Sequence, residues 1–143
     1  MSVIRGAYRQ LAGAAQVVLV EGAGGFLVPL SASESMALLP AALQLPIVLV
    51  IGMRLGCLNH ALLTVEAIRS RGLALAGWIA NTPIPPGATM NAYAENLSTL
   101  RQMIGAPLLG EIPCVHADSS LQAARIAAAH LHTELLIPSL EST

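Results

Sequence analysis

The sequence predicts an α/β protein, a parallel sheet with helices on both faces. Three observations carry that expectation. Short, mainly apolar runs recur at residues 17–20, 47–51, 76–80 and 108–112. None alternates with polar residues, as a strand with one wet face would, so each reads as buried on both sides. Helical segments separate them, and strands alternating with helices imply βαβ units.

The elements follow in order. Residues 3–15 read as a helix and 17–20 as the first strand. Residues 35–45 read as a helix, with Ser33 or Ser35 as its candidate cap. Residues 47–51 form the second strand. Residues 59–71 are a helix capped by Asn59 and closed by Gly72. The third strand, 76–80, ends at Asn81, and residues 82–87 are a proline-rich loop. A helix over 89–104, a strand over 108–112 and a helix over 119–131 complete the pattern. Residues 1–137 are expected to form one α/β domain, with a polar, frayed tail at 138–143. Right-handed crossovers put the loops after all four strands on one edge of the sheet.

Composition narrows the function. The net charge of −1 and the 3% aromatic content give no footprint for nucleic acid. The chain is 55% hydrophobic and 10% charged, so a membrane span has to be weighed. Residues 35–53 carry no charge, but Pro40, Gln44 and Pro46 interrupt them. A helix followed by a buried strand fits that stretch better than a span. No apolar signal region opens the chain. Cys57 and Cys114 lie far apart and form no metal-type pair, so they read as free thiols in a reducing, cytoplasmic setting. The four histidines show no ligand spacing for zinc.

Four places hold chemistry-bearing residues. Glu21 follows the first strand directly and is followed by Gly22, Ala23, Gly24 and Gly25. A carboxylate at the carboxyl edge of a sheet can hold Mg²⁺, and glycines let backbone N–H groups approach an anion. The same residues also suit a tight turn with a solvated glutamate. Gly52 to His60 opens a helix and could cradle a substrate carboxylate on its N-terminus, or be an ordinary capped loop. Cys57 is a poor candidate nucleophile, because His60 is near it only in sequence. Asn81 could read a nucleobase edge or open an Asx-type turn before Pro83. Glu111 could be structural or solvated, and His130 and His132 suit a helix end.

Taken together, Val-Glu-Gly-Ala-Gly-Gly at 20–25, Arg-Leu-Gly-Cys-Leu-Asn-His-Ala at 54–61, Ala-Gly-Trp-Ile-Ala-Asn at 76–81 and Pro-Leu-Leu-Gly-Glu-Ile-Pro at 107–113 resemble the dethiobiotin synthases. Order and spacing fit from about residue 3 to 131. The resemblance implies a P-loop NTPase-like fold and a homodimeric ligase of biotin biosynthesis that uses ATP and Mg²⁺. Such an enzyme joins CO₂ to 7,8-diaminopelargonate. By the same resemblance Glu21 is the Mg²⁺ ligand, and Gly22, Ala23 and Gly24 form the nucleotide loop beside it. Asn81 and Thr82 sit at the adenine, with Pro113, Cys114 and Val115 as a base-side loop. Gly56, Cys57, Leu58 and Asn59 reach the substrate carboxylate across the dimer. No catalytic residue of the family falls in this stretch.

One departure is large. The family pattern begins with a glycine-rich loop ending Gly-Lys-Thr. This sequence has no G-x-x-x-x-G-K-[ST] and no lysine, its seven basic residues all being arginine. The chain is thus expected to correspond to the C-terminal part of such an enzyme. It would be active with a P-loop part supplied, or else a non-catalytic homologue keeping the dimer surface and part of the nucleotide pocket. Strands that lose neighbours expose backbone and apolar faces, so a sticky monomer or a covering partner is expected.

Overall fold

In a computed structural model, residues 1–83 and 91–136 are described. They divide into two compact units, residues 1–46 and 47 onward.

The first unit holds two helices, α1 (Ser2–Ala12) and α2 (Leu38–Leu43), which touch each other. The helix expected over 35–45 is therefore shorter. Ser35 is drawn into an antiparallel bridge with Pro29, and the Met36 N–H donates to the Val28 carbonyl at 2.9 Å. These bonds hold the chain out of helical geometry until Leu38. Neither Ser33 nor Ser35 caps α2 through its side chain. Gln44, left-handed at φ 55°, ends it ahead of Pro46.

The strand expected over 17–20 is not formed. No ladder pairs its residues, and Leu19 is 90% exposed. A lone strand leaves its backbone groups without partners, so β-favouring composition is not enough to make one.

The second unit is a three-stranded parallel sheet in the order β1 (Ile47–Gly52), β2 (Leu75–Asn81), β3 (Leu108–Ile112). The α/β class with parallel strands and helices is borne out, with three strands in place of four. Two helices connect the strands, α3 (Cys57–Arg69) and α4 (Tyr93–Ile104), and α5 (Ser120–Ala128) follows the sheet. A 3₁₀ turn over Thr133–Leu135 closes the described part.

The core of this unit lies between one sheet face and α3 and α4. Leu49 and Ile51 of β1, Trp78 and Ala80 of β2, and Leu108 of β3 meet Ala61 and Val65 of α3 and Leu97, Leu100 and Ile104 of α4. Trp78 is fully buried. Behind it, Gly77 admits Leu109, since a Cβ at position 77 would lie 2.7 Å from Leu109 Cγ. The two helices are tied at their C-terminal ends. Arg69, in the last turn of α3, donates through Nη2 to the carbonyl of Ile104, the last residue of α4. A cation there meets the negative end of the helix dipole.

The α3 boundaries also correct the sequence reading. The helix starts at Cys57, with Gly56 left-handed at φ 90° as its N-cap and no capping side chain. Asn59 lies inside the first turn. Gly72, left-handed at φ 66°, does follow the C-terminal end. Ser119 caps α5, its hydroxyl accepting from the Gln122 N–H at 3.2 Å. The loop expected over 82–87 is described only to Pro83, the first residues of the helix expected over 89–104 and the tail at 138–143 lie outside the described residues, and the described helix begins at Tyr93. Among the described residues no helix is long and apolar enough to cross a membrane.

Candidate functional site

Because β1, β2 and β3 run parallel, their carboxyl ends share one edge, where open α/β sheets bind ligands. Register makes this concrete. Gly52 pairs with Asn81, and Asn81 pairs with Ile112, so the three strands end in one lateral row. Backbone bonds carry the row into the loops. The Met53 N–H donates to the Asn81 carbonyl at 2.7 Å, and the Thr82 N–H donates to the Ile112 carbonyl at 2.9 Å. Asn81 and Thr82 thus begin their loop beside Pro113.

The Asn81 side chain is half-buried and makes no hydrogen bond among the described residues. An Asx-type turn would bind that side chain to nearby backbone, and no such bond is formed among the described residues, which on this loop end at Pro83. The amide keeps a donor and an acceptor for a ligand. Cys114 and Val115 are half-buried on the neighbouring loop, where Cys114 Sγ is 3.8 Å from His116 Nε2.

The loop after β1 has a different character. Arg54 and Leu55 project into solvent, Leu55 being 92% exposed, while Met53 and Cys57 are buried at either end. Cys57 points into the core, so its thiol cannot act as a nucleophile, and what it offers a ligand is backbone alone. Even that N–H is engaged, donating to the Arg54 carbonyl at 2.9 Å. The next two N–H groups, of Leu58 and Asn59, belong to the uncapped first turn and have no intrahelical acceptor. Asn59 is exposed there. An anion would find two N–H donors and the positive end of a 13-residue helix.

Glu21, Gly22, Ala23 and Gly24 belong to the first unit. Glu21 is exposed and forms no ion pair among the described residues. Its carboxylate fits a hard divalent cation, as one oxygen ligand of the six Mg²⁺ takes. Gly24 is held at φ 81°, and a Cβ there would also lie 3.2 Å from Val28 Cγ2, so both backbone and space call for glycine. A Cβ at Gly22 would meet Met36 Cγ at 3.3 Å.

A second polar cluster went unread in the sequence. Glu111 is neither free nor buried: its Oε1 accepts from Arg101 Nη2 at 2.6 Å. The pair lines an open cleft of about 410 Å³ with Leu108, Gly110, His130 and His132. His132 donates its backbone N–H to the Leu109 carbonyl at 2.7 Å, and its Nδ1 lies 3.2 Å from Glu134. Arg101 lies on α4 and Glu111 on β3, and no local spacing announces such a pairing. The one available signal was Gly110, where any Cβ would overlap the His130 carbonyl oxygen.

The parallel order and the loops at its carboxyl edge define the class. The chain belongs to the AAA domain family, whose model matches residues 1–120. Within that class its sequence is 54% identical to the ATP-dependent dethiobiotin synthetase BioD of Aromatoleum aromaticum over 121 residues, 85% of this chain and 52% of that protein. It is 54% identical to the protein of the same name from Cellvibrio japonicus over 117 residues, 82% of this chain and 48% of that one. It is 50% identical to BioD 1 of Escherichia coli K12 over 111 residues, 78% and 48% respectively. The resemblance read from the four motifs is borne out, and the chain spans about half the length of the curated relatives it matches.

Proposed function

We propose that this chain contributes the base-reading and substrate-side half of a dethiobiotin synthetase active site, an ATP-dependent ligase of biotin biosynthesis. The observation that supports the reading best is the lateral row Gly52, Asn81 and Ile112, where two of the four motif segments end and a third begins just beyond, all on one sheet edge. The 54% identity to named dethiobiotin synthetases supports it independently.

On this reading Asn81 and Thr82 take the adenine, with Pro113, Cys114 and Val115 closing on it from the neighbouring strand. Glu21 takes the Mg²⁺ that accompanies ATP, and Gly22, Ala23 and Gly24 allow the nucleotide close approach. Gly56 to Asn59 hold the carboxylate of 7,8-diaminopelargonate in a homodimer, through backbone N–H groups rather than the buried Cys57 thiol. One amine of the substrate adds to CO₂ and gives up a proton to form a carbamate, the γ-phosphoryl group of ATP passes to the carbamate oxygen with release of ADP, and the second amine attacks the carbonyl carbon, expelling phosphate and a proton as the ring closes. The residues named here bind and orient. Phosphoryl transfer also needs charge neutralisation of the kind a P-loop lysine gives, and this chain has no lysine. Activity therefore requires a P-loop-bearing segment, folded with residues 1–137 as one α/β domain in the cytoplasm.

The test is dethiobiotin formation from 7,8-diaminopelargonate, bicarbonate and MgATP, with this chain co-expressed with a P-loop-bearing segment. Product is expected from the pair, and on the order of tenfold less or lower still from the Glu21→Gln pair, which loses one metal ligand. Absence of product from a pair that demonstrably binds MgATP would refute the reading.

A further inference from the structure

We propose that residues 130–132 act as a strap that locks a β-bulge in β3, and that the locked bulge aims the loop formed by Pro113, Cys114 and Val115. His132 is then a positioning residue that acts through its backbone N–H. The strap and the bulge stand on this chain alone; the ligand of the aimed loop, the base of ATP, rests on the function proposed above.

The bulge shows in the ladder between β2 and β3. Trp78 faces Leu108 but Ile79 faces Gly110, so Leu109 has no residue across from it. Backbone bonds count the same extra residue. The Trp78 N–H donates to the Pro107 carbonyl at 3.0 Å, and the Thr82 N–H donates to the Ile112 carbonyl at 2.9 Å. From Trp78 to Thr82 is four steps along the chain, and from Pro107 to Ile112 is five. The evenly spaced bonds of a regular parallel pair would keep the steps equal.

The extra residue decides where the rest of β3 points. Side chains alternate between the two faces of a strand. Leu108 packs in the core with Trp78, and Leu109 lies against Gly77 on the other face. Simple alternation would return Gly110 to the core face and send Glu111 away from it. Glu111 instead pairs with Ala80, a core residue, and its carboxylate meets Arg101 of α4, the helix on that face. The same shift sets Ile112 beside Asn81 and carries into Pro113, Cys114 and Val115. Bulges re-aim side chains in this way beside ligand sites.

A bulge interrupts the ladder, so its freed backbone groups need other partners. The strap supplies one. The His132 N–H donates at 2.7 Å to the carbonyl of Leu109, the extra residue itself. Gly110, next in the bulge, bridges antiparallel to Leu131. The approach leaves no space for a side chain at 110, because any Cβ would overlap the His130 carbonyl oxygen. Strap and bulge thus meet backbone to backbone. The His132 ring stands aside, exposed and facing Glu134. The strap also lies beyond residues 1–120, the stretch that the family model matches. With the strap released, nothing opposes a one-residue slip to the regular register, and such a slip turns every following side chain to the other face.

Variants of the full chain separate backbone from ring. His132→Pro removes the donor of the strap, whereas His132→Ala keeps it and loses only the imidazole. Gly110→Ala displaces the strap by a different route, through the His130 carbonyl. Cys114 reports on the aimed loop, and the buried Cys57 reports on global opening. In His132→Pro and Gly110→Ala, alkylation of Cys114 by iodoacetamide should quicken at least about threefold while Cys57 is unchanged, and His132→Ala should match the parent protein at both thiols. In the pair with the P-loop-bearing segment, His132→Pro should weaken MgATP binding at least about fivefold, with kcat at saturating ATP nearly unchanged and His132→Ala silent. Cys114 rates equal to the parent's in both strap variants overturn the proposal, as do Cys57 rates that rise in step with Cys114. A quickened Cys114 with unaltered MgATP affinity keeps the strap and overturns the placing of the base against this loop. A parent pair that binds no MgATP refutes the function proposed above, and the strap then stands or falls on the Cys114 rates.

Discussion

Gly77→Ala isolates how tightly the sheet is packed on the side away from α3 and α4. The backbone at Gly77 is ordinary β, so alanine brings no conformational strain, and by stiffening the unfolded chain it would stabilise by about 0.5–1 kcal/mol. Sterics oppose this. The new methyl would lie 2.7 Å from both Cγ and Cδ1 of Leu109 and 2.9 Å from Cδ2. The whole fork of Leu109 is met, not one flexible tip, and Leu109 is 1% exposed with no room to swing aside. Overpacking of this kind costs about 1–3 kcal/mol. The steric term wins, for a net loss of about 0.5–2 kcal/mol. Urea unfolding followed by fluorescence reads it directly, because Trp78 is the only tryptophan and adjoins the site. The midpoint should fall by about 0.3–1 M at a typical slope. Leu109→Ala alone costs about 2–5 kcal/mol, but it empties the space the methyl needs. In that background Gly77→Ala should become neutral or stabilising, a coupling that distant sites do not show. A Gly77→Ala cost that is the same with leucine and with alanine at 109 would refute the packing argument.

Other expectations follow from the same geometry. Arg69→Met should lower stability by about 0.5–1.5 kcal/mol, less than a buried charged bond because the guanidinium is partly solvated, and thermal unfolding measures it. Gly105→Ala should cost about 1 kcal/mol or more, since φ is 63° and a Cβ would crowd Arg69 Nη2 at 3.2 Å. Ser119→Ala removes the α5 cap and should cost about 0.5–2 kcal/mol, with faster amide exchange at Gln122 as its local signature. A thiol reagent should modify Cys114 in the native protein and reach Cys57 only on unfolding, so the fast phase should consume one of the two thiols.

Most of the second unit was legible in the sequence because its signals are local. Short, mainly apolar runs marked β1, β2 and β3 to within a residue or two. The helix expected over 119–131 is found as α5, with Ser119 as its cap and its end at Ala128. Asn59 misled: it has the chemistry of a cap, but Gly56 can take φ 90° at no cost and turns the chain into the helix three residues earlier. Glu111 was ambiguous because its partner, Arg101, reaches it from another element. In the site, Asn81 could be placed at a strand end by pattern, whereas its alignment with Gly52 and Ile112 is a property of register. The inward turn of Cys57 could not be read from the motif that contains it.

Residues 17–20 and 47–51 put the limit of such reading in physical terms. Val-Val-Leu-Val and Ile-Val-Leu-Val-Ile are nearly the same text, yet one is a segment without a ladder and the other is β1. The difference is that β2 offers the second run a ladder, closed by the Ala74 and Asn81 carbonyls at its two ends. A strand is a pairing and not a composition, so the composition states what a segment can join and leaves open whether a partner is present. By that measure both runs are better qualified than their surroundings require. The first has no ladder, and the second has one on a single side. A sequence in which two segments carry the apolar signature of interior strands, and neither has two neighbours among the described residues, has been shaped for more sheet than these three strands provide. Glu21 inherits the consequence, because the segment that should fix its carboxylate against a metal is the one without a ladder. Ordering of residues 17–20 should therefore accompany formation of any complex that makes this site competent for MgATP. Amide protection at Val18 and Val20 that stays unchanged in a complex binding MgATP through Glu21 would show that the carboxylate works from an unpaired strand, and that the link drawn here between pairing and metal binding is wrong.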